Sequence, residues 1–304
     1  MDLSIIIVTW NTRDLLMRCL ASVYACPPDG AFEVLVVDNA SADGTAAMVR
    51  ERFSQVHLIE SAENLGFARA NNQAIRESSG RFLLLLNPDT EVQPGALETL
   101  VRFMEGDPQA GAAGARLLSP NGTPQLACHP APTLGRELWR LLHLDTVWPY
   151  AHYPVASWDL DTPHQVDVVP GTCLILRREA LDQVGLLDEG YFIYSEDVDL
   201  CYRLRRGGWG VYWVPQATVV HHGAQSTQQV AAEMFLRLYQ GKIRYFRTHH
   251  GPWAARAYKG ILLLTALARL LASPLAWLER PAWRQQHLGL AGNYARLVMR
   301  LPSM

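Results

Sequence analysis

Three groups of polar side chains in the 304-residue sequence could do chemistry. The first is Glu196-Asp197-Val198-Asp199, preceded by Asp188-Glu189 and the aromatic run Tyr191-Phe192-Ile193-Tyr194. Large apolar side chains beside clustered carboxylates strip water from them, and that raises a carboxyl pKa toward the range a general base needs. The second is Asn87-Pro88-Asp89, at the end of the apolar run Leu83–Leu86. A strand that delivers a carboxylate to its tip suits Mg2+ or Mn2+, hard cations that prefer carboxylate and diphosphate oxygens. The third is a pair of polar strand ends, Thr9-Trp10-Asn11 and Asp38-Asn39, where Asp38 could accept a hydrogen bond from a nucleobase N–H.

Each group also has a plain structural reading. Acids at 196, 197 and 199 suit the first turn of a helix capped by Ser195, because exposed N–H groups and the helix dipole favour negative charge there. That field lowers a carboxyl pKa, against the effect of the aromatic flank. Asp38-Asn39-Ala40-Ser41 is good turn chemistry, and Asn87-Pro88-Asp89 reads equally as a turn after a strand. His221 and His222, taken alone, read as structural or surface residues.

The elements that must position these groups alternate. Leu3–Trp10, Glu33–Val37, Val56–Glu60 and Arg81–Leu86 read as strands, and Asp14–Tyr24, Thr45–Phe53 and Gly66–Ser78 as helices. Alternation of this kind predicts an α/β fold with a parallel sheet and right-handed crossovers. Ligands of such sheets sit at the carboxyl ends of the strands, where Thr9–Asn11, Asp38-Asn39 and Asn87–Asp89 all fall. No G-x-G-x-x-G follows the first strand and no phosphate-loop lysine appears, which argues against the dinucleotide and P-loop sites. Ala112–Leu118 reads as a strand, and a Ser119-Pro120-Asn121-Gly122 turn follows. From Thr123 to Pro163 the sequence is rich in Pro, Trp and His, with a short helix near Gly135–Leu142. This stretch reads as a lid or acceptor loop whose aromatic side chains suit sugar faces. Gly171, before the strand Cys173–Arg177, would let the backbone approach a ligand closely. A helix Arg178–Val184, the helix opening at Glu196 and stopped by Gly207-Gly208, and short strands Trp209–Val214 and Thr218–Val220 complete this part. Asp199 and Arg203, four apart, can pair on one helix face.

Hydrophobic residues make up 49% and charged residues 18% of the chain, enough for a sizeable core and against wholesale disorder. Five scattered cysteines with no CxxC point to a reducing compartment and away from structural zinc. The sequence opens directly on a strand, with no expected signal peptide. Net charge is −2, but it is unevenly placed: from Gln228 onward Lys+Arg number 11 against 2 Asp+Glu, a net of +9, and the remainder holds 16 against 27, a net of −11. The basic tail reads as helical over Val230–Thr248 and Trp253–Leu278. Ile261–Leu278, broken by Arg269 and Pro274, is at the short limit for a membrane span. With Lys242, Arg244, Arg247, Arg256 and Lys259 before it and Arg280 and Arg284 after it, the tail suits an anionic membrane surface. Packing on the catalytic body, or on a second copy in a homo-oligomer, is the alternative. No basic motif suggests nucleic acid.

The run GLLDEGYFIYSEDVDLCYRLRRGGW, residues 185 to 209, resembles the signature of glycosyltransferase family 2, the inverting GT-A transferases. VVDNASADGT resembles that family's nucleotide-binding strand end, and Glu63-Asn64-Leu65-Gly66-Phe67-Ala68-Arg69-Ala70-Asn71-Asn72 its nucleotide-closing segment. Where the family carries Asp-x-Asp, this sequence carries Asn87-Pro88-Asp89, the form of rhamnosyltransferase-like members; it has one charge fewer for the metal. The resemblance implies a GT-A, Rossmann-like fold, a mostly parallel sheet flanked by helices, over residues 1–226, with a nucleotide-sugar half to about 118 and an acceptor half to 226; composition alone adds a helical extension over 227–304. It implies Asp197 as base with Glu196 beside it; Thr9, Trp10, Asn11, Asp38, Asn39, Asn64, Gly66, Phe67, Asn71 and Asn87 around the nucleotide; Gly171, Thr172, Asp188 and Glu189 around the sugar and acceptor; and Asp89 with His221, or His222 in its place, on Mg2+ or Mn2+. The expected donor is a nucleoside-diphosphate sugar, with dTDP-rhamnose favoured over UDP- or GDP-sugars. The expected acceptor is a cell-surface glycan or a polyprenyl-linked sugar at the cytoplasmic face of the membrane. A silent nucleotide-sugar-binding scaffold is the reading outside enzymology.

Overall fold

A computed structural model describes residues 1–223, 229–274 and 281–304, without the side chains of 281–288. The expected boundary at 226/227 and the side chains of Arg280 and Arg284 lie outside the described residues. Two compact units divide the chain: Met1–Ala131 with Tyr153–Phe192 and Glu196–Gln229, and Pro132–His152 with Ile193–Ser195 and Val230–Met304.

The first unit is an α/β sheet with flanking helices. In chain order it runs β1 (Leu3–Thr9), α1 (Arg13–Ala25), β2 (Phe32–Asp38), α2 (Thr45–Arg52), β3 (His57–Glu60), α3 (Phe67–Glu77), β4 (Phe82–Leu86), β5 (Thr90–Val92), α4 (Ala96–Gly106) and β6 (Ala110–Leu118). After the excursion to the second unit come β7 (His164–Gln165), β8 (Cys173–Arg177), α6 (Arg178–Val184), α7 (Glu196–Arg206) and β9 (Gly210–His221); α5 belongs to the second unit. The strand order is β3-β2-β1-β4-β8-β6-β9-β5, with β7 on β9. Every residue of β1 and of β4 is buried, which explains why, Ser4 and Thr9 aside, both are apolar throughout: strands covered on both faces have no polar side to alternate with.

The sheet is mostly parallel as expected, with antiparallel members that make it mixed. β3, β2, β1 and β4 are mutually parallel. β8 then runs antiparallel to both β4 and β6, while β6 and β9 are parallel. The two short strands expected at 209–214 and 218–220 are one strand, β9, whose register with β6 shifts between Ala115 and Arg116, opposite Pro215–Ala217. Proline cannot donate to a ladder, so the pairing slips there rather than ends. β5 and α4 were not foreseen. β5 has three residues, too few to show a period.

The expected lid contains ordered packing. Trp158 stacks on His164 with ring centroids 4.6 Å apart and lies 5.8 Å from the buried Trp213, so this ring serves the core of the first unit instead of a sugar face.

The second unit is helical: α5 (Leu134–Leu141), α8 (Ala231–Ala272) and α9 (Pro281–Arg300). Thr133 caps α5, its hydroxyl accepting from the Arg136 N–H at 3.1 Å. α8 is interrupted at Gly251 (φ 86, ψ 171), and Pro252 opens its second stretch. That stretch ends at Ala272; residues 275–278 of the expected helix lie outside the described residues, and α9 falls in the helical extension expected over 227–304, though its bounds were not foreseen. At the centre of this unit is the buried Glu137. Its carboxylate takes hydrogen bonds from Lys242 Nζ at 2.6 Å, Tyr258 Oη at 3.2 Å and Arg140 Nη1 at 3.1 Å. Among the described residues no helix is long and apolar enough to cross a membrane.

Candidate active site

The site residues collect at one edge of the sheet for a topological reason. β1 and β2 are parallel and in register from Leu3↔Phe32 to Thr9↔Asp38, so both carboxyl ends finish together. The Asn39 N–H donates to Thr9 O at 2.9 Å. β8 is antiparallel, so its amino end meets the carboxyl end of β4: Leu86 faces Cys173, and the Asn87 N–H donates to Thr172 O at 2.9 Å. Gly171, one residue earlier, donates its N–H to Asp197 Oδ2 at 3.1 Å, and the Val198 N–H donates to Asp197 Oδ1 at 2.8 Å. Both oxygens of Asp197 are therefore aimed by backbone groups. The expected Ser195 cap does not form in that way. Ser195 has φ 72 and Tyr194 φ 69, outside the extended range of an N-cap, and Asp197 itself serves the first turn.

Glu196 contrasts with its neighbour. Its side chain is 5% exposed and Oε2 has no hydrogen-bond partner. Burial, then the adjacent Asp197 charge, pushes its carboxyl well above the usual carboxylate range. Asp199 pairs with Arg203 as expected, Nε to Oδ2 at 2.8 Å. Arg203 also donates to the carbonyls of Val184, Gly185 and Leu186 at 2.7–2.9 Å, fastening the loop that leads toward α7.

The nucleotide-side residues form one network. Asn39 Nδ2 donates to Asn64 Oδ1 at 3.0 Å and Gly66 O at 3.2 Å, and Asn39 Oδ1 accepts from the Leu65 N–H at 2.9 Å. Gly66 has φ 80, and a Cβ there would lie 2.4 Å from Phe192 O, so no side chain fits. The Phe67 N–H donates to that carbonyl at 2.6 Å. The ring of Phe67 lies against Gly171, where a Cβ would approach it to 3.2 Å. Asn71 turns inward and caps nothing outside its helix: Nδ2 donates to Phe67 O at 2.8 Å. Asp38 is 4% exposed; burial raises its carboxyl, against the hydrogen bonds of Ser41. At the tip of β1, Thr9 and Thr12 share a hydroxyl hydrogen bond of 2.9 Å, Trp10 is half-buried, and Asn11 (φ 51) accepts from the Ala42 N–H on Oδ1.

Two acceptor-side candidates have structural partners. Glu189 Oε1 accepts from Asn72 Nδ2 at 3.0 Å and Arg76 Nη2 at 2.9 Å, bonds that lower its carboxyl pKa and turn it toward α3. Asp188 Oδ1 closes a turn on the Gly190 N–H at 2.9 Å. Asn72, which the sequence reading did not single out for a role, is buried and bonds Leu187 in both directions.

At the other end of the edge, Thr90 on β5 faces His221 on β9. His221 Nε2 lies 3.4 Å from Asp89 Oδ1, and its Nδ1 lies 2.7 Å from Gln125 Oε1. His222, the fallback, points elsewhere, with Nε2 2.7 Å from Glu91 Oε1. The Asp89–His221 pair fits a divalent cation in donor chemistry: a carboxylate oxygen and an imidazole nitrogen face one another with little solvent exposure. Among the described residues no group of three or more His, Cys, Asp and Glu could hold a metal.

Sequence reasoning missed Asn72, Gln125 and the carbonyl contacts of Arg203, whose pairing with Asp199 it did expect. Asn72 and Gln125 act across 96 or more residues, and one sequence carries no sign of that.

The family description Glycosyl transferase family 2 matches residues 4–185, a span that stops before α7. An N-acetylglucosaminyl-diphospho-decaprenol L-rhamnosyltransferase of Mycobacterium tuberculosis is 31% identical over 265 residues, covering 83% of this chain and 86% of that one. A rhamnosyltransferase of Escherichia coli is 24% identical over 250 residues, 79% and 91% of the two chains. Among solved structures, a mannosyltransferase from Pyrobaculum calidifontis in complex with GDP-Man and Mn2+ superposes with a TM-score of 0.56 at 20% identity, over 99% of this chain and 86% of that one. GalNAc-T7 with UDP, GalNAc and Mn2+ gives 0.57 at 19%, over 72% and 43%. Strand order, the polar edge and these likenesses agree: the chain belongs to glycosyltransferase family 2, is similar to its rhamnosyltransferases, and has the GT-A fold.

Proposed function

We propose that this glycosyltransferase moves L-rhamnose, with inversion, from dTDP-rhamnose to a polyprenyl-linked glycan in cell-surface polysaccharide synthesis. The observation that carries the chemistry is Asp197, partly exposed at the sheet edge with both oxygens aimed by the N–H groups of Gly171 and Val198. In this reading Asp197 takes the proton from the acceptor hydroxyl. The freed oxygen attacks the anomeric carbon from the face opposite the diphosphate, and the bond to the diphosphate oxygen breaks with its electron pair leaving on that oxygen. Asp89 and His221 would hold Mg2+ or Mn2+, whose charge offsets that of the leaving diphosphate. Asp38, Asn39 and the Thr9–Asn11 tip hold the nucleoside, and the Asn64–Asn71 segment closes on it. Rhamnose and the lipid-linked acceptor rest on likeness to the mycobacterial relative and on Asn87-Pro88-Asp89.

An Asp197→Asn variant tests the base. Transfer should fall by about 10²–10⁴-fold, while dTDP still binds; unchanged transfer would remove Asp197 from the role. Thermal shifts with dTDP, UDP and GDP, each with and without Mn2+, test the donor. A UDP or GDP response without one for dTDP would sink dTDP-rhamnose, and silence with all three would favour the scaffold.

A lipid-linked acceptor also gives the tail a use. The second stretch of α8 buries Ala255, Tyr258, Leu262 and Ala266 and leaves Trp253 (75% exposed), Leu264 (69%), Leu267 (42%) and Leu271 (82%) outside. Arg256 lies over the Trp253 ring at 4.7 Å. An apolar stripe with basic residues at its start suits an anionic bilayer at the cytoplasmic face. The full chain should co-sediment with phosphatidylglycerol liposomes, and Leu264→Glu with Leu271→Glu should release it. No binding by the unaltered chain would dismiss the contact.

A further inference from the structure

The hairpin that follows β6 holds a residue to which neither motif nor composition assigns a role. The Ser119–Gly122 turn closes with the Gly122 N–H on Ser119 O and the Ser119 N–H on Thr123 O, both at 2.8 Å. The chain then folds back along β6: Leu118 bridges Pro124, and the Gln125 N–H donates to Leu117 O at 2.9 Å. Leu117 and Leu118 are in register with Val219 and Val220 on β9. Gln125 is thereby delivered next to His221, the following residue on that strand.

The contacts between the two fix a proton position. Gln125 makes one contact of 2.8 Å with His221 O and another of 3.1 Å with Ser119 Oγ through the same end of its amide. A backbone carbonyl only accepts, so that end is the NH2 group. The other end, 2.7 Å from His221 Nδ1, is the carbonyl oxygen Oε1, which also only accepts. Nδ1 must carry the hydrogen. In the neutral ring the lone pair is then on Nε2, the atom that faces Asp89 Oδ1 at 3.4 Å. Without this partner a histidine ring is free to rotate or to take the other tautomer, which would turn an N–H, not a lone pair, toward the site. Partners of this kind on the far nitrogen set the ring orientation and basicity of metal-binding histidines.

We propose that Gln125 is a positioning residue for a divalent cation at Asp89 and His221: it locks His221 as the Nδ1–H tautomer with Nε2 presented to the metal. The proposal rests on the cation reading given above, and its test separates the two. Long-range 1H–15N spectra of the 15N-histidine-labelled, metal-free full chain, recorded at about pH 8 where an ordinary histidine is neutral, report the tautomer directly. The His221 signal is assigned by its loss in His221→Gln. The unaltered chain should show the Nδ1–H form. Gln125→Met, similar in size but unable to bond the ring, should lose that form and weaken Mn2+ binding, followed by electron paramagnetic resonance, by about 10–100-fold, with the circular dichroism spectrum retained. Gln125→Glu, which restores an acceptor, should recover the tautomer and most of the affinity. An Nε2–H ring in the unaltered chain overturns the proposal even if the variants do not fold. So does Mn2+ affinity untouched by Gln125→Met, or equally lost in Gln125→Glu. An Nδ1–H ring in a chain that binds no Mn2+, with or without dTDP, would overturn the cation reading and leave the tautomer standing.

Discussion

Glu196 at the start of α7 and Glu137 in α5 are both buried glutamates, 5% and 0% exposed, and they answer burial in opposite ways. Around Glu137, burial alone would raise the carboxyl, but the charges of Lys242 and Arg140 and the hydrogen bonds of Lys242 and Tyr258 outweigh it and hold the group below the usual range. Around Glu196 no cation among the described residues answers the burial, Asp197 adds a like charge, and the carboxyl rises well above that range. The helical unit resolves its buried acid with partners. The sheet edge leaves one unresolved beside the candidate base, and a carboxyl perturbed in that way is what marks a candidate functional site.

Three changes would break or sharpen that contrast. The largest effect is expected from Lys242→Met, which strips the closest cation from Glu137. Losing one partner of a buried pair costs about 3–5 kcal/mol, read from urea denaturation at neutral pH. A loss below about 1 kcal/mol would put this pair in the class of surface ion pairs. Tyr258→Phe removes one hydrogen bond from the same carboxylate and should cost about 1 kcal/mol, and less in the Lys242→Met background if the two partners act together. For both, the effect belongs to the neutral side of the titration. A carboxyl lowered by folding adds stability above its unfolded value of 4.5 and loses it as pH falls through the folded one. Glu196→Gln should have the smallest effect and the opposite sign. A raised carboxyl keeps its proton in the folded chain, so its contribution worsens as pH climbs from the unfolded value of 4.5 toward the folded one. Glu196→Gln should therefore be the more stable chain at neutral pH, with the gain vanishing below pH 4.5. Equal stability at both pH values would mean that Glu196 titrates as an ordinary surface acid.

Much of the fold was legible because its signals are local. The apolar runs at Leu3, Phe32 and Phe82 ended within two residues of their expected limits, and Asn11, Asp38 and Asn87 fell at strand tips because a buried strand must end where polar residues begin. The reversal of β8 was not legible: Cys173–Arg177 has the same apolar content in either direction, and only its neighbours β4 and β6 decide which way it runs. The same limit applies to the site. Asp197 stood out among acids and aromatics in one short run. The Asn39–Asn64 bond, the Asn72–Leu187 exchange and the Gln125–His221 lock each join residues at least 25 positions apart, and none leaves a mark on its own stretch of sequence.

The reversed strand has a practical outcome. Because β8 runs against β6, the chain leaves the sheet after Leu118 and re-enters it at Cys173 on the same edge. Between those residues the chain touches the sheet again at β7, on β9, and its two stems share one doorway. The part of it between Gln125 and His164 can lengthen or shorten between related chains without changing the order or register of any strand, much as a lens is changed on a camera body. Chimaeras cut at Leu118 and Cys173 would carry Gln125, β7 and Gly171 with the insert and part Glu137 from Lys242, so an exchange that leaves the sheet intact must keep those residues.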